Sequence, residues 1–353
     1  MLIKTPNHFH PIILASEIAY TRDSKLPVIT RFSARCLNKD MGVDDSLLAK
    51  DRKRANFRLC SLSSYTSEIL EIQADAPSLH VLFVPGNPGV VLFYKDFVEF
   101  LYELLGGTAS ITAIGHVSHS RKDWEHGRLF SLEEQIDHKI DFIREELQNI
   151  KIPIILVGHS IGSYISIEMF KKSLEKVKYC VGLYPFLTLN PNSTAQLIIA
   201  KIAQSQILAA AASYLIASLG LLPVKTLRFI VRKSLGKSWS ANAVEAACSH
   251  LSQYHTMRNV LYMALTEFKK LAETPDWAFL RERKDQCAFL FGVDDHWGPL
   301  QMLEEISKQV PGIALSIERE NHTHGFCCTE PGSLWVAQHV ANLIKNQMAC
   351  TNQ

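Results

Sequence analysis

Residues 154–166, IILVGHSIGSYIS, set an apolar run directly before Gly158-His159-Ser160-Ile161-Gly162 and a mixed apolar segment directly after it. No other stretch of the chain constrains its fold as strongly. A short, continuous apolar run ending in glycine suits a strand covered on both faces of a parallel sheet. The segment after the motif has the composition of a helix packed on that sheet. A strand that turns sharply into a helix needs small residues on both sides of the turn, and G-x-S-x-G supplies them. In that setting the turn strains the serine backbone and lifts its Oγ above the sheet, at the positive end of a helix. Ser160 is thereby a candidate nucleophile. The plain alternative is a glycine loop that happens to contain a serine, and the rest of the chain has to decide.

The same alternation continues on both sides. Ser67–Gln73 alternates apolar and polar residues, His80–Gly86 is a continuous apolar run, Phe93–Leu105 has helical spacing, and Ser110–His116 has the pattern of a strand. Ser131 precedes Glu134 in a capping-box arrangement, and Ile136, Ile140, Ile143 and Leu147 form the apolar stripe of an amphipathic helix. A helix over Ile161–Leu174 and a strand over Tyr179–Pro185 follow the motif. The rhythm then breaks, and it resumes with strands at Cys287–Gly292 and Ile313–Glu318 and helices near Leu300–Gln309 and Ser333–Gln347. Alternating elements of this kind predict an α/β fold, a mostly parallel central sheet with helices on both faces. The expected division is a poorly ordered N-terminal extension at 1–55, a catalytic domain at 56–189 and 280–348, and a helical insertion at 190–279.

Composition narrows the function classes. A net charge of +2 over 353 residues, without basic and aromatic residues interleaved, argues against a nucleic-acid partner. Eight cysteines without C-x-x-C spacing suit reduced thiols in an intracellular protein, not a zinc site or a disulfide framework, and the Cys327-Cys328 pair suits packing. In the extension, Arg22, Arg31 and Arg35 have the flavour of an organellar transit peptide, but Glu17 and Asp23 sit among them. The apolar stretch HPIILA is too short for a signal-peptide core.

A nucleophilic serine needs a base, an acid to orient it, and two donors for the oxyanion. In the α/β-hydrolase arrangement these follow in the order serine, acid, histidine, the last two on loops after late strands. Asp294 and Asp295 come just after the strand ending at Gly292, and His322 and His324 just after the next. The oxyanion loop is expected in VPGNPG after the early strand. The backbone N–H groups of Asn87 and Ile161 are its candidates, since Pro88 has none to donate. No H-E-x-x-H metal motif and no H-x-x-x-x-D acyltransferase motif competes, and no metal or cofactor is called for.

GNPG at Gly86, HKIDFI at His138, GHSIGSY at Gly158, GVDDHWGP at Gly292 and NHTHGF at Asn321 together resemble the lipid droplet-associated hydrolase family, in wording similar to its plant branch. The resemblance runs from about Phe57 to Asn346. It implies an α/β-hydrolase fold with Ser160 as nucleophile. The fourth position of a Gly-x-x-Asp-x-Trp motif selects Asp295 over Asp294, and a histidine before a small residue and phenylalanine selects His324 over His322. It also implies a serine esterase of neutral lipids, sterol esters or acylglycerols, at the cytosolic face of lipid droplets and the endoplasmic reticulum.

The insertion supports a lipid surface on physical grounds of its own. Residues 202–224 carry no charge, and no Asp or Glu occurs from Lys176 to Val244. As one helix the apolar run would span a bilayer at ~1.5 Å per residue. A single crossing would part Ser160 from Asp295 and His324, so the run must lie on a surface, break into a hairpin at Gly220 and Pro223, or pack as a cap. The following segment gathers Lys225, Arg228 and Arg232 on one helical face, with Lys233 beside them, opposite Leu227, Val231 and Leu235. Such a basic amphipathic helix is suited to an anionic interface. Residues 202–237 are therefore the expected attachment element. An acyltransferase with the same triad and a non-catalytic droplet protein are the competing functions, and the oligomeric state is left open.

Overall fold

The computed structural model describes residues 53–235 and 238–351. Eight strands form one sheet in the order β1-β2-β4-β3-β5-β6-β7-β8. They are β1 (Asn56–Leu62), β2 (Tyr65–Ile72), β3 (Leu79–Val84), β4 (Ala109–Ile114), β5 (Ile154–His159), β6 (Val177–Leu183), β7 (Cys287–Gly292) and β8 (Ala314–Glu318). From β4 to β8 every pairing is parallel, whereas β1 pairs β2 and β2 pairs β4 antiparallel. The hairpin strand β1 was not anticipated. It sits at the sheet edge with Phe57 and Leu59 exposed, so it lacks the apolar signal of a covered strand.

Helices cover both faces, as the alternation predicts. On one lie α1 (Lys95–Leu104) and, at the end of the chain, α11 (Glu330–Thr351). On the other lie α2 (Leu132–Glu145), α3 (Ile161–Lys172) and α10 (Leu300–Gln309). The pleat divides the core between them: Val81, Phe83, Ile155 and Val157 pack to the first face, and Leu82, Val84, Ile154 and Leu156 to the second. At the start of α2 the capping box is present, Ser131 Oγ accepting from the Glu134 N–H and Glu134 Oε2 from the Ser131 N–H.

Between β6 and β7 come α4 (Thr194–Gln204), α5 (Gln206–Leu219), α6 (Val224–Leu235), α7 (Ala241–Ala246), a π-helical turn (Ala247–Leu251), α8 (Tyr254–Lys270) and α9 (Trp277–Glu282). The charge-free run is thus not one rod. It breaks at Ser205, where α4 and α5 meet at 104°, and again between Leu219 and Val224. Ser205 caps α5 through its Oγ, which accepts from the Leu208 N–H, so a second helix begins where one continuous helix would have run on. No single described helix is long and apolar enough to cross a membrane. Most of the N-terminal extension lies outside the described residues, but Lys53 to Ala55 are already tied to the sheet domain, with the Ala55 N–H donating to Glu99.

Candidate active site

Strand β5 ends at His159 and α3 begins at Ile161, so Ser160 alone makes the turn. Its backbone lies at φ 55° and ψ −123°, a region that L residues other than glycine enter only under strain. The two glycines of the motif permit this. A Cβ at Gly158 would stand 2.2 Å from the Gly162 carbonyl oxygen, and one at Gly162 would stand 2.3 Å from the Val84 oxygen and 2.5 Å from the Pro85 oxygen. All three are backbone atoms that cannot rotate away, and the last two lie at the end of β3, where the expected oxyanion loop begins. Gly162→Ala is therefore expected to destabilise the fold by about 3 kcal/mol. Urea unfolding checks this, and a midpoint equal to wild type would show that the packing is looser than these distances require.

The loop after β7 carries Asp295 and the loop after β8 carries His324. His324 Nδ1 lies 2.9 Å from Asp295 Oδ2. Asp295 is buried, and its other oxygen accepts from the Trp297 N–H at 2.8 Å. A carboxylate only accepts, so the imidazole proton sits on Nδ1 and Nε2 is left with a lone pair. The neighbouring candidates are placed elsewhere. Asp294 is exposed, and His322 lies against Trp335 while its N–H donates to the buried Glu318. Ser160, His324, Gly86 and Asn87 line one cavity of about 140 Å³, walled largely by apolar side chains such as Phe93, Phe186, Trp239, Leu261 and Trp297. Ile161 is the first residue of α3, so its N–H has no carbonyl one turn back to bond.

Sequence reasoning missed a buried hydrogen-bond chain behind these groups. His159 Nε2 lies 2.9 Å from the His324 carbonyl oxygen and must donate to it. His159 Nδ1 then accepts from the Tyr94 hydroxyl at 2.7 Å, and that hydroxyl accepts from the Gly86 N–H at 3.1 Å. Burial, with the His324 charge second, holds His159 well below the usual histidine range, so it stays neutral and keeps this polarity. The chain joins Gly86, at the start of the expected oxyanion loop, to the backbone of His324. Its one sequence signal was the histidine inside the serine motif. Cys327 and Cys328 also line the cavity, and the seven described cysteines are all free thiols.

The expected attachment residues lie apart from this cavity, on α6. Lys225, Arg228, Arg232 and Lys233 are exposed, and Leu227 and Val231 are buried, as the amphipathic pattern requires. Arg228 is committed to an ion pair with Glu245. A feature beyond the basic face is apolar exposure, with Ile207 81%, Leu221 87% and Phe229 61% accessible.

A profile of the lipid-droplet associated hydrolase family matches residues 77–327. Lipid droplet-associated hydrolases similar to the chain include that of Dictyostelium discoideum, 27% identical over 296 residues that make up 79% of this chain and 94% of the relative. That of Rattus norvegicus is 26% identical over 299 residues, 80% of this chain and 90% of the relative. Among solved structures, a haloalkane dehalogenase from Bradyrhizobium elkani superposes with a TM-score of 0.61 at 14% identity, covering 84% of this chain and 99% of that one. An esterase from Thermogutta terrifontis gives 0.54 at 14% identity, covering 83% and 99%. At that identity the superpositions establish the fold, while the profile match spans most of the sequence. The chain is a hydrolase of the α/β-hydrolase fold and belongs to the lipid droplet-associated hydrolase family.

Proposed function

We propose that the protein is a serine esterase of neutral lipids, sterol esters or acylglycerols, working at the surface of lipid droplets. The observation that carries this reading is the strained Ser160 turn, sharing one cavity with a histidine whose Nδ1 is held by a buried aspartate. Ser160 Oγ attacks the ester carbonyl carbon while His324 Nε2 takes its proton. The negative charge that develops on the carbonyl oxygen is met by the Asn87 and Ile161 N–H groups, each worth about 2.7–4 kcal/mol of barrier lowering. Asp295 stabilises the imidazolium. The C–O bond to the alcohol breaks, and the alcohol leaves with the proton from His324. Water, deprotonated by the same histidine, then attacks the acyl-enzyme, releasing the fatty acid and restoring Ser160.

The substrate class is supported by the surroundings of the site. A cavity of about 140 Å³ is smaller than the roughly 300 Å³ or more that encloses a drug-sized ligand. A long-chain ester therefore needs more room than the cavity gives, and a shift of the cover would supply it. Helix α4 is placed to do so, since Ile199 lines the cavity while Leu197 and Ile198 of the same helix face outward. A lipid surface would take up those exposed side chains together with Ile207, Leu221 and Phe229, so that attachment and opening become one event.

The test is reaction of purified protein with a fluorophosphonate, followed by hydrolysis of emulsified lipid esters. Labelling at Ser160 and faster turnover on emulsion than on monomeric ester are expected; a folded protein that does neither in the presence of lipid would favour the non-catalytic droplet role. Attachment is tested separately. The triple variant Ile207→Asp, Leu221→Asp, Phe229→Asp should weaken liposome binding at least about a hundredfold, because each side chain loses about 1.5–3 kcal/mol of burial. Neutralising Lys225 and Lys233 should have the smaller effect, about 1 kcal/mol each on anionic lipid. Undiminished co-flotation of the triple variant with droplets would rule out this surface.

A further inference from the structure

The candidate site contains a carboxyl group that the proposed reaction does not use. Glu267 lies on α8, is 3% exposed, and lines the same cavity as Ser160 and His324. Its Oε1 accepts from Asn87 Nδ2 at 3.0 Å, and that amide nitrogen also donates to the Val260 carbonyl at 3.0 Å. Val260, Ala264 and Glu267 fall on one face of α8 and all line the cavity. One helix between β6 and β7 thus grips the side chain of the residue proposed above as an oxyanion donor.

We propose that Glu267 is a positioning residue of the esterase site, an uncharged acid that fixes Asn87 and so aims the oxyanion loop. The proposal rests on the ester-hydrolysis reading above and adds a requirement to it, that the group holding the loop carry no charge. A carboxylate in this apolar cavity would oppose the oxyanion that has to form beside it. The surroundings keep the acid protonated. Burial pushes its carboxyl up to about 8, and the only opposing influence is the Asn87 amide. The titratable groups that share the cavity are Tyr94 from the turn before α1, His159 from β5, His324 and the two adjacent cysteines from the loop after β8. Two of these are settled: burial keeps Tyr94 protonated and His159 neutral. From α4 the cavity receives Ile199, and on α8 itself Lys270 is paired outward with Glu273.

The sign follows directly. Below about pH 8 Glu267 is neutral and the oxyanion forms unopposed; as pH rises through that value the carboxylate appears and kcat falls, approaching tenfold per pH unit. Glu267→Gln keeps an oxygen for Asn87 without an ionisable proton, so the alkaline fall should vanish while kcat at neutral pH stays within a fewfold of wild type. Glu267→Ala leaves the Asn87 amide with the Val260 carbonyl but without its carboxyl partner, and should lower kcat by about ten- to a hundredfold with little change in KM. An alkaline limb that persists unchanged in Glu267→Gln, or an undiminished kcat in Glu267→Ala, overturns the proposal.

A second measurement does not depend on activity. Since the folded carboxyl is raised above its unfolded value, wild-type stability falls as pH rises from about 4.5 to about 8, and the glutamine variant escapes this. Its Tm advantage should widen across that window and level off above it; parallel curves would show that Glu267 is not held neutral, whether or not the protein hydrolyses esters. Failure of the ester reading is seen separately, as absent fluorophosphonate labelling of wild type.

Discussion

Alanine at Ser160 is expected to abolish fluorophosphonate labelling and to lower ester hydrolysis by on the order of 10⁵- to 10⁶-fold, while folding and droplet association stay intact. The size of the loss follows from cooperation within the site. Without Oγ, the Asp295–His324 pair has no nucleophile to serve, and what remains is the contribution of the oxyanion donors and of binding, about 10³- to 10⁴-fold over water. The fold survives because alanine meets the same backbone strain as serine at φ 55°, and it leaves the close contacts of Gly158 and Gly162 untouched. Glycine at the same position makes an instructive companion. It should be as inactive as alanine yet more stable, by about 1–3 kcal/mol of relieved strain. Intact-protein mass spectrometry after labelling, together with urea unfolding, reads both effects. Labelling that survives in Ser160→Ala would place the reactive group elsewhere and remove the foundation of the esterase reading.

Acid should unfold this protein far more readily than it unfolds a typical domain. Among the described residues five buried histidines are held below their ordinary titration range, His80 at about 4, His119 and His138 at about 3, and His116 and His159 well below that range. Burial is the main cause for all five, and the Lys139 charge adds to it at His116, His119 and His138. The unfolded chain takes up these protons near pH 6.5 and the folded chain does not, so the stability they affect is complete above about pH 6.5 and is lost as pH falls toward the folded values. Each group contributes about 1.4 kcal/mol per pH unit in that window. The losses all have the same sign and act against a whole-domain stability of only about 5–15 kcal/mol. Urea midpoints should drop steeply below about pH 6.5. His138, whose ring nitrogens have no hydrogen-bond partner among the described residues, is the position where a methionine should make the slope shallower. A flat profile down to about pH 5 would mean that these imidazoles gain protons without unfolding. A steep profile would suit the proposed hydrolysis near neutral pH, in which His324 acts as the base.

The strand-to-helix rhythm was legible because it is local. Period-two and period-3.6 patterns arise from neighbours on one element, and from them the sheet, its covering helices and the Ser160 turn could be read. The capping box at Ser131 and Glu134 was legible for the same reason. The edge hairpin was not, because β1 has one exposed face and carries Arg58 among its residues. The break at Ser205 escaped notice because an uninterrupted apolar run contains no glycine or proline there to announce it, and the serine acts only as a cap.

Within the candidate site the division is sharper still. The sequence by itself determined the setting of the candidate nucleophile and the order in which the candidate acid and histidine follow it, since each of these is a loop placed after a strand. It reduced the acid to two adjacent aspartates and the base to two nearby histidines; the family resemblance favoured Asp295 and His324. Only the tertiary structure brings that pair to hydrogen-bonding distance, turns Asp294 to solvent and sends His322 to Trp335. It alone reveals the chain from Gly86 through Tyr94 and His159 to His324, and the grip of Glu267 on Asn87 from 180 positions away. A glutamate within an amphipathic helix has the same local pattern whether it faces water or a reaction. Its burial, and with it its charge, is decided by which helix closes over which loop.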